Sequence, residues 1–424
     1  MKKYGKFIIA LSVMISTVFG LEAGTGMKQS GYDTRSMGLA GATLANMNSV
    51  MALENNPSQL FYLGFQRIEL NFNPAFVGIT YKDSYKDRTV NDNNTQIFVP
   101  MSNIGYSHKL NDQLVLGLAI YLNGGAGMKM EGLKLGSSPN TYVRDINSTF
   151  FNYKISLGGA YQITNDLILG TSIDYSIAQM SSKNVYKTGA GTVIQEYIPD
   201  GSQTFGFNLG VTYMISKNMS AAYSFSSSNK FQFKGDLSAK ITPTLGKTTE
   251  TKYENVETEF TMPERHSIGL STIISEKLTI MWEFRYQPYS KYFETNELKY
   301  NGNTIAKQKP RYDDLKYFAI GSEYQLDSWS LRAGFGHGNG ICGSESVSPT
   351  NNIVLENDIT VGAGYKWNQF DLNVAVQYSI PVSVKGAKNS DWNEEMYESL
   401  VPASYSYEIG SDLIAVGFSA VYNF

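Results

Sequence analysis

The sequence predicts an all-β fold, a transmembrane antiparallel β-barrel of about 14 strands with a small helical N-terminal hatch in its lumen. Three observations support this prediction. Only 17% of the 424 residues are charged, whereas soluble proteins devote about a quarter of their residues to charge. Stretches of about ten residues alternate apolar and polar side chains, as barrel strands do. After residue 20 there is no run of about 18 apolar residues, so the sequence contains no candidate transmembrane helix.

Composition excludes several other classes of protein. With 13% aromatic residues and a formal net charge of −3, the chain can bury enough apolar surface to offset its ordering entropy, which argues against disorder. Cys342 is the single cysteine, so a disulfide scaffold is impossible. The 35 basic residues are balanced by 38 acidic ones, which gives nucleic-acid binding no electrostatic support. A membrane barrel or a secreted soluble protein remains.

The first twenty residues predict a signal peptide. Three lysines within the first six residues precede an apolar run at 7–19, which is too short for a stop-transfer helix. We expect cleavage after Gly20, with Ala23 as the alternative site. An uncleaved membrane anchor is the other interpretation of this segment. A cleaved signal peptide would export the mature chain from the cytoplasm.

The alternation of apolar and polar residues is clearest near the end of the chain. Side chains two residues apart share one face of a strand. One face carries Phe370, Leu372, Val374, Val376, Tyr378 and Ile380. The other carries Asp371, Asn373, Ala375, Gln377 and Ser379. Segments 205–213 and 278–287 repeat the pattern, so one face of each strand suits lipid and the other suits water.

Small residues and tyrosines distinguish this pattern from that of a soluble sandwich. A soluble sheet covers its polar face with Lys and Glu, whereas Gly, Ser and Asn are frequent opposite the apolar faces here. Tyrosines at strand ends predict the aromatic girdles of the two membrane interfaces, although ordinary strand preference is the alternative explanation. These tyrosines are Tyr161, Tyr213, Tyr324, Tyr365 and Tyr422.

Short turns alternate with long polar segments along the chain. Six tight turns lie near residues 111, 165, 217, 276, 327 and 368. Seven longer segments lie near 83–96, 123–147, 181–202, 235–256, 294–312, 338–357 and 383–411. Residues 64–424 are therefore expected to form about fourteen strands, with both termini on the short-turn, periplasmic side.

Residues 21–63 do not follow the strand pattern. The small residues 38–45 are compatible with a helix, and the sequence at 55–58 predicts a turn after it. About forty residues are too few for an independent soluble domain. The segment either plugs the wide lumen of the barrel as a hatch or forms a periplasmic tether.

Several motifs resemble the FadL family of long-chain fatty acid transporters, also called the OmpP1 and TodX family. The most specific are residues 36–42 and 54–60, which are similar to the family's small-residue helix and the Asn-Pro-Ala motif of its hatch. Ser58 stands where the family usually has Ala. Residues 231–236 and 421–424 also resemble family motifs, so the resemblance covers nearly the whole mature chain. It assigns the hatch and gate to Gly38, Gly41, Asn56 and Pro57.

The resemblance implies a plugged fourteen-stranded barrel that transports passively, without enzyme activity or cofactor. Family members capture a hydrophobic ligand among extracellular loops, pass it to a pocket in the barrel and release it sideways through a kinked wall. Glycine weakens strand pairing. Gly117, Gly124 and Gly125 are therefore candidates for a lateral-opening wall, with a flexible loop base as the alternative.

The resemblance also implies two basic residues that bind the carboxylate of a fatty acid. The matching stretches contain Lys183 and Lys307. Ser182 stands where the family has Arg, and Lys183, one residue along, would point to the opposite face of a strand. Lysine binds a carboxylate as a point charge, and a solvated loop lysine is the alternative role for both. Because of this departure, aromatic hydrocarbons, which relatives of the family carry, are also candidate ligands.

The sequence predicts no catalytic or metal-ligating constellation. The three histidines lie far apart, and Ser267 beside His266 would face the opposite side of a strand. The glycine-rich stretch 334–340 follows no βαβ unit. Six charged residues on predicted lumen faces are expected to form a structural network between wall and hatch. They are Lys154, Asp174, Glu283, Arg285, Glu323 and Arg332.

The sequence therefore predicts an outer-membrane channel for passive uptake of hydrophobic small molecules, with long-chain fatty acids as the first candidate. Uptake of aromatic hydrocarbons by the same mechanism, a surface-exposed adhesion or structural barrel, and an open hydrophilic porin are the alternatives. The expected partners are the ligand and outer-membrane lipid, with no nucleic acid. We expect a monomer.

Overall fold

The computed structural model describes residues 26–85, 88–135, 142–387 and 405–424. The predicted signal peptide and both candidate cleavage sites lie outside these residues.

The described residues form twenty-one strands, which belong to one antiparallel sheet. In chain order they are β1 (Gln66–Phe72), β2 (Ala75–Tyr85), β3 (Arg88–Val99), β4 (Ser102–Asn111), β5 (Leu114–Leu135), β6 (Tyr142–Gln162), β7 (Leu167–Thr188), β8 (Gly191–Pro199), β9 (Ser202–Ser216), β10 (Met219–Ser226), β11 (Asn229–Pro243), β12 (Thr249–Met262), β13 (Arg265–Ile273), β14 (Leu278–Gln287), β15 (Asn296–Tyr300), β16 (Asn303–Gln308), β17 (Leu315–Leu326), β18 (Trp329–Gly338), β19 (Asn357–Trp367), β20 (Phe370–Lys385) and β21 (Tyr405–Asn423). The helices are α1 (Thr34–Met37), α2 (Ala52–Asn55), a 3₁₀ helix (Pro57–Tyr62) and α3 (Tyr289–Tyr292).

The described strands close into an antiparallel barrel of 14 strands, which confirms the predicted fold class. Five barrel strands are interrupted midway, so that each consists of two segments: β1 with β2, β3 with β4, β8 with β9, β10 with β11, and β12 with β13. Strands β15 and β16 form a separate hairpin. Strand β1 pairs with β4 on one side and with β21 on the other, which closes the barrel.

The predicted alternation of faces is present in the barrel wall. On β20, Val374 and Val376 are 41% and 39% exposed, whereas Ala375 and Gln377 between them are 2% and 4% exposed. Outward faces are thus apolar and inward faces are small or polar. Near the short turns, aromatic rings pack on the outer surface, and the centroids of Trp329 and Tyr365 lie 4.7 Å apart.

The strands extend further into the predicted loops than the sequence indicated. Strands β2 and β3 occupy most of the segment at 83–96, and β11 and β12 occupy most of 235–256. Outward side chains there are charged, as in the exposed ion pair between Lys252 and Asp236. Backbone pairing therefore continues where the outward side chains are no longer apolar. The segment at 338–357 is irregular between β18 and β19, as predicted.

The helix expected over residues 38–45 does not form. Helix α1 begins after Asp33, whose side chain accepts a hydrogen bond from the backbone N–H of Ser36, and it ends at Met37. Ala40 and Gly41 then have positive φ angles of 52° and 78°. These left-handed conformations stop a right-handed helix. No described helix has the length and apolar character needed to cross a membrane.

Several neighbouring wall strands are interrupted at a similar height. The interruption at Asn73 and Pro74 separates β1 from β2, and that at Pro100 and Met101 separates β3 from β4. Proline cannot donate a ladder hydrogen bond, so it favours such interruptions. The backbone N–H of Asn73 donates to the carbonyl of Met101 at 2.7 Å, which places the two interruptions side by side. The wall is therefore weakened over adjacent strands.

Candidate functional site

Residues 26–63 lie within the barrel and pack against its inward faces. Apart from Asn48 and Tyr62, none of them is exposed. Helix α1 contacts β19, β20 and β21, whereas α2 and the 3₁₀ helix contact β5, β6, β7 and β9. The segment thus reaches parts of the wall that are distant from each other. This position is consistent with the predicted hatch.

Glu54 of α2 is the centre of a buried ion cluster. Its carboxylate oxygens lie 3.0 Å from the Nζ atoms of Lys28 and Lys154, and 3.5 Å from Nη2 of Arg265. The hydroxyl of Tyr121 donates to the same carboxylate at 2.8 Å. Burial alone would raise the pKa of the Glu54 carboxyl, but the three cations outweigh this effect and hold its pKa well below the usual range. The cluster ties the N-terminal segment to β5, β6 and β13.

Further charged groups on the wall hold the same segment. The guanidinium of Arg285 donates to the carbonyl of Gly41 at 2.7 Å, and the carboxylate of Glu283 accepts from the backbone N–H of Thr43 at 3.0 Å. Arg35 of α1 pairs with Glu323 at 2.9 Å. The predicted lumen charges are confirmed as ion pairs. These pairs are Lys154 with Asp174, Arg285 with Glu283, and Arg332 with Glu323.

Asn56 and Pro57, the predicted hatch motif, form the start of the 3₁₀ helix. The side chain of Asn56 accepts a hydrogen bond from the backbone N–H of Ser58 at 3.2 Å. Its Nδ2 donates to the carbonyl of Leu44 at 2.8 Å and to Oγ1 of Thr212 on β9 at 3.2 Å. Pro57 occupies a first helical position, where its missing N–H costs nothing. The motif thus joins two parts of the N-terminal segment to the wall.

Gly38 and Gly41 allow the segment to pack closely. A Cβ atom at Gly41 would lie 2.0 Å from the carbonyl oxygen of Ser30, and one at Gly38 would lie 3.2 Å from Cα of Gly362 on β19. Gly41 therefore requires a residue without a side chain, whereas a Cβ at Gly38 would be a tight contact. Their assignment to a gate stays a prediction.

The wall has no backbone ladder between β3 and the part of β5 beyond Ile120. Strand β4 pairs with β5 as far as Ile104 and Ile120, and among the described residues no ladder joins β3 to β5. Further along, the side chain of Asn91 on β3 makes hydrogen bonds of 2.8 Å to both the carbonyl and the N–H of Lys134 on β5. We call the boundary between β3 and residues 121–130 of β5 the seam.

The N-terminal segment covers the β5 edge at the seam. Nε2 of Gln29 donates to the carbonyl of Leu122 at 2.5 Å, and the backbone N–H of Gly125 donates to the carbonyl of Met27 at 3.3 Å. A Cβ atom at Gly124 would lie 2.2 Å from that same carbonyl oxygen. Residues 27–29 thus take the place of the missing neighbouring strand, and Gly124 permits their close approach.

The three glycines assigned to a lateral opening occupy two different places. Gly124 and Gly125 lie at the seam. Gly117 lies in a fully paired part of β5, opposite Ser107 on β4 and Gly158 on β6. A side chain at Gly117 would contact Leu60 of the N-terminal segment at 3.2 Å.

A cavity lies between residues 27–31 and the wall beside the seam. Its lining is mainly apolar and includes six residues of the largest apolar cluster of the described interior. These shared residues are Met27, Met37, Ala75, Leu122, Leu413 and Ala415. The polar lining comes from Lys28, Gln29, Asn73 and Gln377, among others. We call this space the seam cavity.

Aromatic side chains extend the same apolar cluster toward the long-loop end of the barrel. The ring centroids of Phe150 and Phe260 lie 4.3 Å apart, those of Phe260 and Phe293 5.3 Å, and those of Phe293 and Tyr312 5.2 Å. Tyr289 stacks on Phe293, and its hydroxyl accepts a hydrogen bond from the backbone N–H of residue 27 at 3.0 Å. Apolar contacts are therefore continuous from the loop end to the seam cavity.

The two lysines assigned to carboxylate binding are not brought together. Lys183 lies on β7 and pairs with Glu196 of β8 at 3.2 Å, and its side chain is 46% exposed. Lys307 lies on β16 and pairs with Glu297 of β15 at 3.5 Å, and its side chain is 53% exposed. Strands β8, β11, β12 and β15 separate them in the sheet. Neither residue lines the seam cavity.

Sequence reasoning missed the residues that fix the N-terminal segment at the seam and at the ion cluster. Lys28 and Gln29 lie in a part of the chain without strand periodicity, and the motif at 54–60 contains Glu54 without indicating its ion partners. One signal was available. The segment consists otherwise of small and apolar residues but contains charges, and the predicted lumen beside it carries Lys154 and Asp174. They indicate buried ion pairs, because an unpaired charge is rarely buried.

Comparison with known proteins gives consistent results at three levels. Residues 17–424 match the family model described as outer membrane protein transport protein (OMPP1/FadL/TodX). The long-chain fatty acid transport protein of Salmonella typhi is 22% identical over 335 residues, 70% of this chain and 74% of that protein. The corresponding Escherichia coli K12 protein is 22% identical over 331 residues, 67% of this chain and 71% of that protein.

Solved structures share the fold. The crystal structure of a Pseudomonas aeruginosa FadL homologue superposes with a TM-score of 0.75 at 14% sequence identity, covering 94% of this chain and 100% of that one. The Pseudomonas putida toluene transporter TodX superposes with a TM-score of 0.72 at 15% identity, covering 96% and 100% of the two chains.

Proposed function

Because the chain belongs to the OMPP1/FadL/TodX family of outer-membrane transporters of hydrophobic compounds, we propose that it takes up long-chain fatty acids passively and releases them sideways into the membrane. The family consists of transport channels and not of enzymes. The proposal concerns the ligand, its route and the orientation of the barrel, with both termini in the periplasm.

The seam is the observation that carries the proposed route. Outward faces of the wall are apolar, and an apolar interior reaches the seam from the long-loop end. At the seam, residues 27–29 cover the strand edge with a few hydrogen bonds instead of a continuous ladder. This edge of β5 is therefore covered by part of the N-terminal segment and not by a paired strand. A ligand that enters among the loops would leave beside Gly124 and Gly125, while residues 26–63 act as the hatch.

Long-chain fatty acids are the first candidate because the curated relatives are long-chain fatty acid transport proteins. Aromatic hydrocarbons are the second candidate. The ring cluster of Phe150, Phe260 and Phe293 favours them, since aromatic ligands stack well on such rings. Lys183 and Lys307 would then serve only as exposed surface charges.

Uptake of labelled ligands tests the proposal. Cells that lack the gene should take up less labelled oleate than cells that carry it, and the difference should disappear when the gene is restored. Excess unlabelled toluene should compete if both ligands use one route. Equal uptake of both oleate and toluene with and without the protein would contradict the proposed function.

A further inference from the structure

We infer that the seam cavity binds the head group of a long-chain carboxylic acid, and that Asn73 and Gln377 hold that head group. This inference rests on the proposed function, because it places the site on the proposed route to the seam. It assigns recognition of the head group to wall amides and not to Lys183 or Lys307.

Three side chains that line the cavity each carry a buried polar atom with no hydrogen-bond partner in the described part of the chain. These atoms are Oε1 of Gln29, Nδ2 of Asn73 and Nε2 of Gln377. Asn73 and Gln377 are 1% and 4% exposed. Leaving a buried polar atom without a partner is costly, and most such atoms in folded proteins have one. Three of them around one cavity indicate a partner that occupies it.

The side-chain oxygens of Asn73 and Gln377 are each held in place by a hydrogen bond. Oγ1 of Thr34 donates to Oδ1 of Asn73 at 3.0 Å, and Oγ of Ser30 donates to Oε1 of Gln377 at 2.8 Å. Both hydroxyls belong to the N-terminal segment. The two NH₂ groups are therefore presented by amides whose orientation is fixed before a ligand arrives, which lowers the entropic cost of binding.

The NH₂ donors of Asn73 and Gln377 and the acceptor Oε1 of Gln29 match the hydrogen-bonding groups of a carboxylic acid. Its carbonyl oxygen accepts hydrogen bonds from two NH₂ groups, and its O–H, when protonated, donates to Oε1 of Gln29. When ionised, its two oxygens accept hydrogen bonds from the same two donors. The surrounding Met27, Leu122 and Leu413 would contact the first methylenes of the chain. A hydrocarbon offers none of these polar atoms.

Water is the rival occupant, since buried waters also satisfy orphan polar groups. The two occupants differ in what they predict for transport. A cavity that holds only water would make no distinction between an acid and a hydrocarbon of equal length. A head-group site would favour the acid, and it would lose that preference when the amides are removed.

The test compares palmitate with hexadecane, which have chains of equal length and differ in the carboxyl group. Initial uptake of each labelled compound is measured below saturation and normalised to the folded, heat-modifiable protein in the outer membrane. The variants are Gln377→Met and Asn73→Leu. The matched control is Asn229→Leu, because Nδ2 of Asn229 is also buried without a described partner but the residue does not line the cavity.

We expect Gln377→Met to lower palmitate uptake about tenfold, the value of one hydrogen bond to a charged group, and to change hexadecane uptake less than twofold. Asn229→Leu should change neither. Equal losses for both compounds, or no loss of palmitate uptake, would overturn the inference. Transport of hexadecane without palmitate by the unaltered protein would overturn it while leaving uptake of hydrophobic compounds intact. If the protein transports none of palmitate, hexadecane, oleate and toluene, the proposed function itself is wrong.

Discussion

Glu54 shows how one buried residue fixes the N-terminal segment. It is fully buried and neutralises Lys28, Lys154 and Arg265 together with Asp174. Replacing one member of a buried ion cluster leaves other charges uncompensated, which costs about 3–5 kcal/mol. We expect Glu54→Gln to lower the free energy of unfolding by this amount, measured by urea titration in detergent.

An exposed glutamate provides the control for Glu54. Glu259 pairs with Lys230 at 2.6 Å, but both side chains are more than half exposed. Such pairs contribute about 0–1 kcal/mol. Glu259→Gln should therefore be nearly neutral, and a similar loss in both variants would show that the cluster around Glu54 has no special role.

Substitutions at Gly41 and Gly132 allow the cost of backbone strain to be measured apart from the cost of crowding. Both glycines have a φ angle of 78°. A Cβ atom at Gly41 would lie 2.0 Å from the carbonyl oxygen of Ser30, whereas one at Gly132 would meet nothing within 4 Å. Gly132→Ala should cost about 1–2 kcal/mol of strain. Gly41→Ala should cost at least about 2 kcal/mol more, because the backbone must move. The midpoint of urea unfolding measures both, and equal costs would contradict the packing described for Gly41.

At the scale of elements, the seam stands apart in the described wall, because it lacks the backbone ladder that joins other neighbouring strands. If ligands leave through it, joining β3 to β5 should stop transport. We expect the double variant Ile97→Cys with Gly127→Cys, on a Cys342→Ser background, to lose most oleate uptake after treatment with a short bifunctional thiol reagent. The two positions are adjacent, since a Cβ at Gly127 would lie 3.9 Å from Cγ2 of Ile97.

A crosslink elsewhere in the wall controls for general stiffening. Val361 and Val376 are opposite each other in the ladder between β19 and β20. Cysteines at these positions, treated with the same reagent, should leave oleate uptake unchanged. If the seam crosslink also leaves uptake unchanged although it forms, release through the seam is wrong.

The elements also show which parts of the fold were predictable from the sequence. The alternation on β20 predicted a strand correctly, because Val374 and Val376 contact the membrane side and Gln377 the interior. The strands through Asp236 and Lys252 lie in a segment predicted as a loop, because their outward side chains are charged while Leu237 and Val256 are buried on the inner face. An apolar outward face identifies a strand that contacts lipid, and this signal fails where the outward face is charged.

The candidate site was less predictable than the fold, for the same physical reason. Gly124 and Gly125 could be singled out because glycine weakens pairing, and they do lie at the seam. Glu54 and Gln29 gain their roles from contacts with residues that are distant in the sequence, such as Lys154 and Leu122. Local patterns carry no information on such contacts, and a single sequence carries no record of which pairs change together.

At the scale of the whole molecule, the low charge content of the chain follows from its two apolar surfaces, an outer wall and part of the interior. The short-turn half of the lumen is different, since residues 26–63 meet inward polar side chains such as Glu283, Arg285 and Asn208. Without the segment, this half of the barrel would be a wide, water-filled passage, because fourteen strands enclose more space than their own side chains fill.

Deleting residues 26–63 while keeping the first 25 residues should therefore convert the protein into an open pore. We expect the purified variant to give steady ohmic conductance in planar lipid bilayers, and the full-length protein to give little. Cells that carry the variant should also admit bulky hydrophilic antibiotics. The heat-modifiable shift on gels establishes that the barrel has folded, and a deletion of the hairpin at 296–308 controls for loss of chain. A folded variant that conducts no more than the full-length protein would show that residues 26–63 do not plug the lumen, and the polar passage would then have to be closed by the loops.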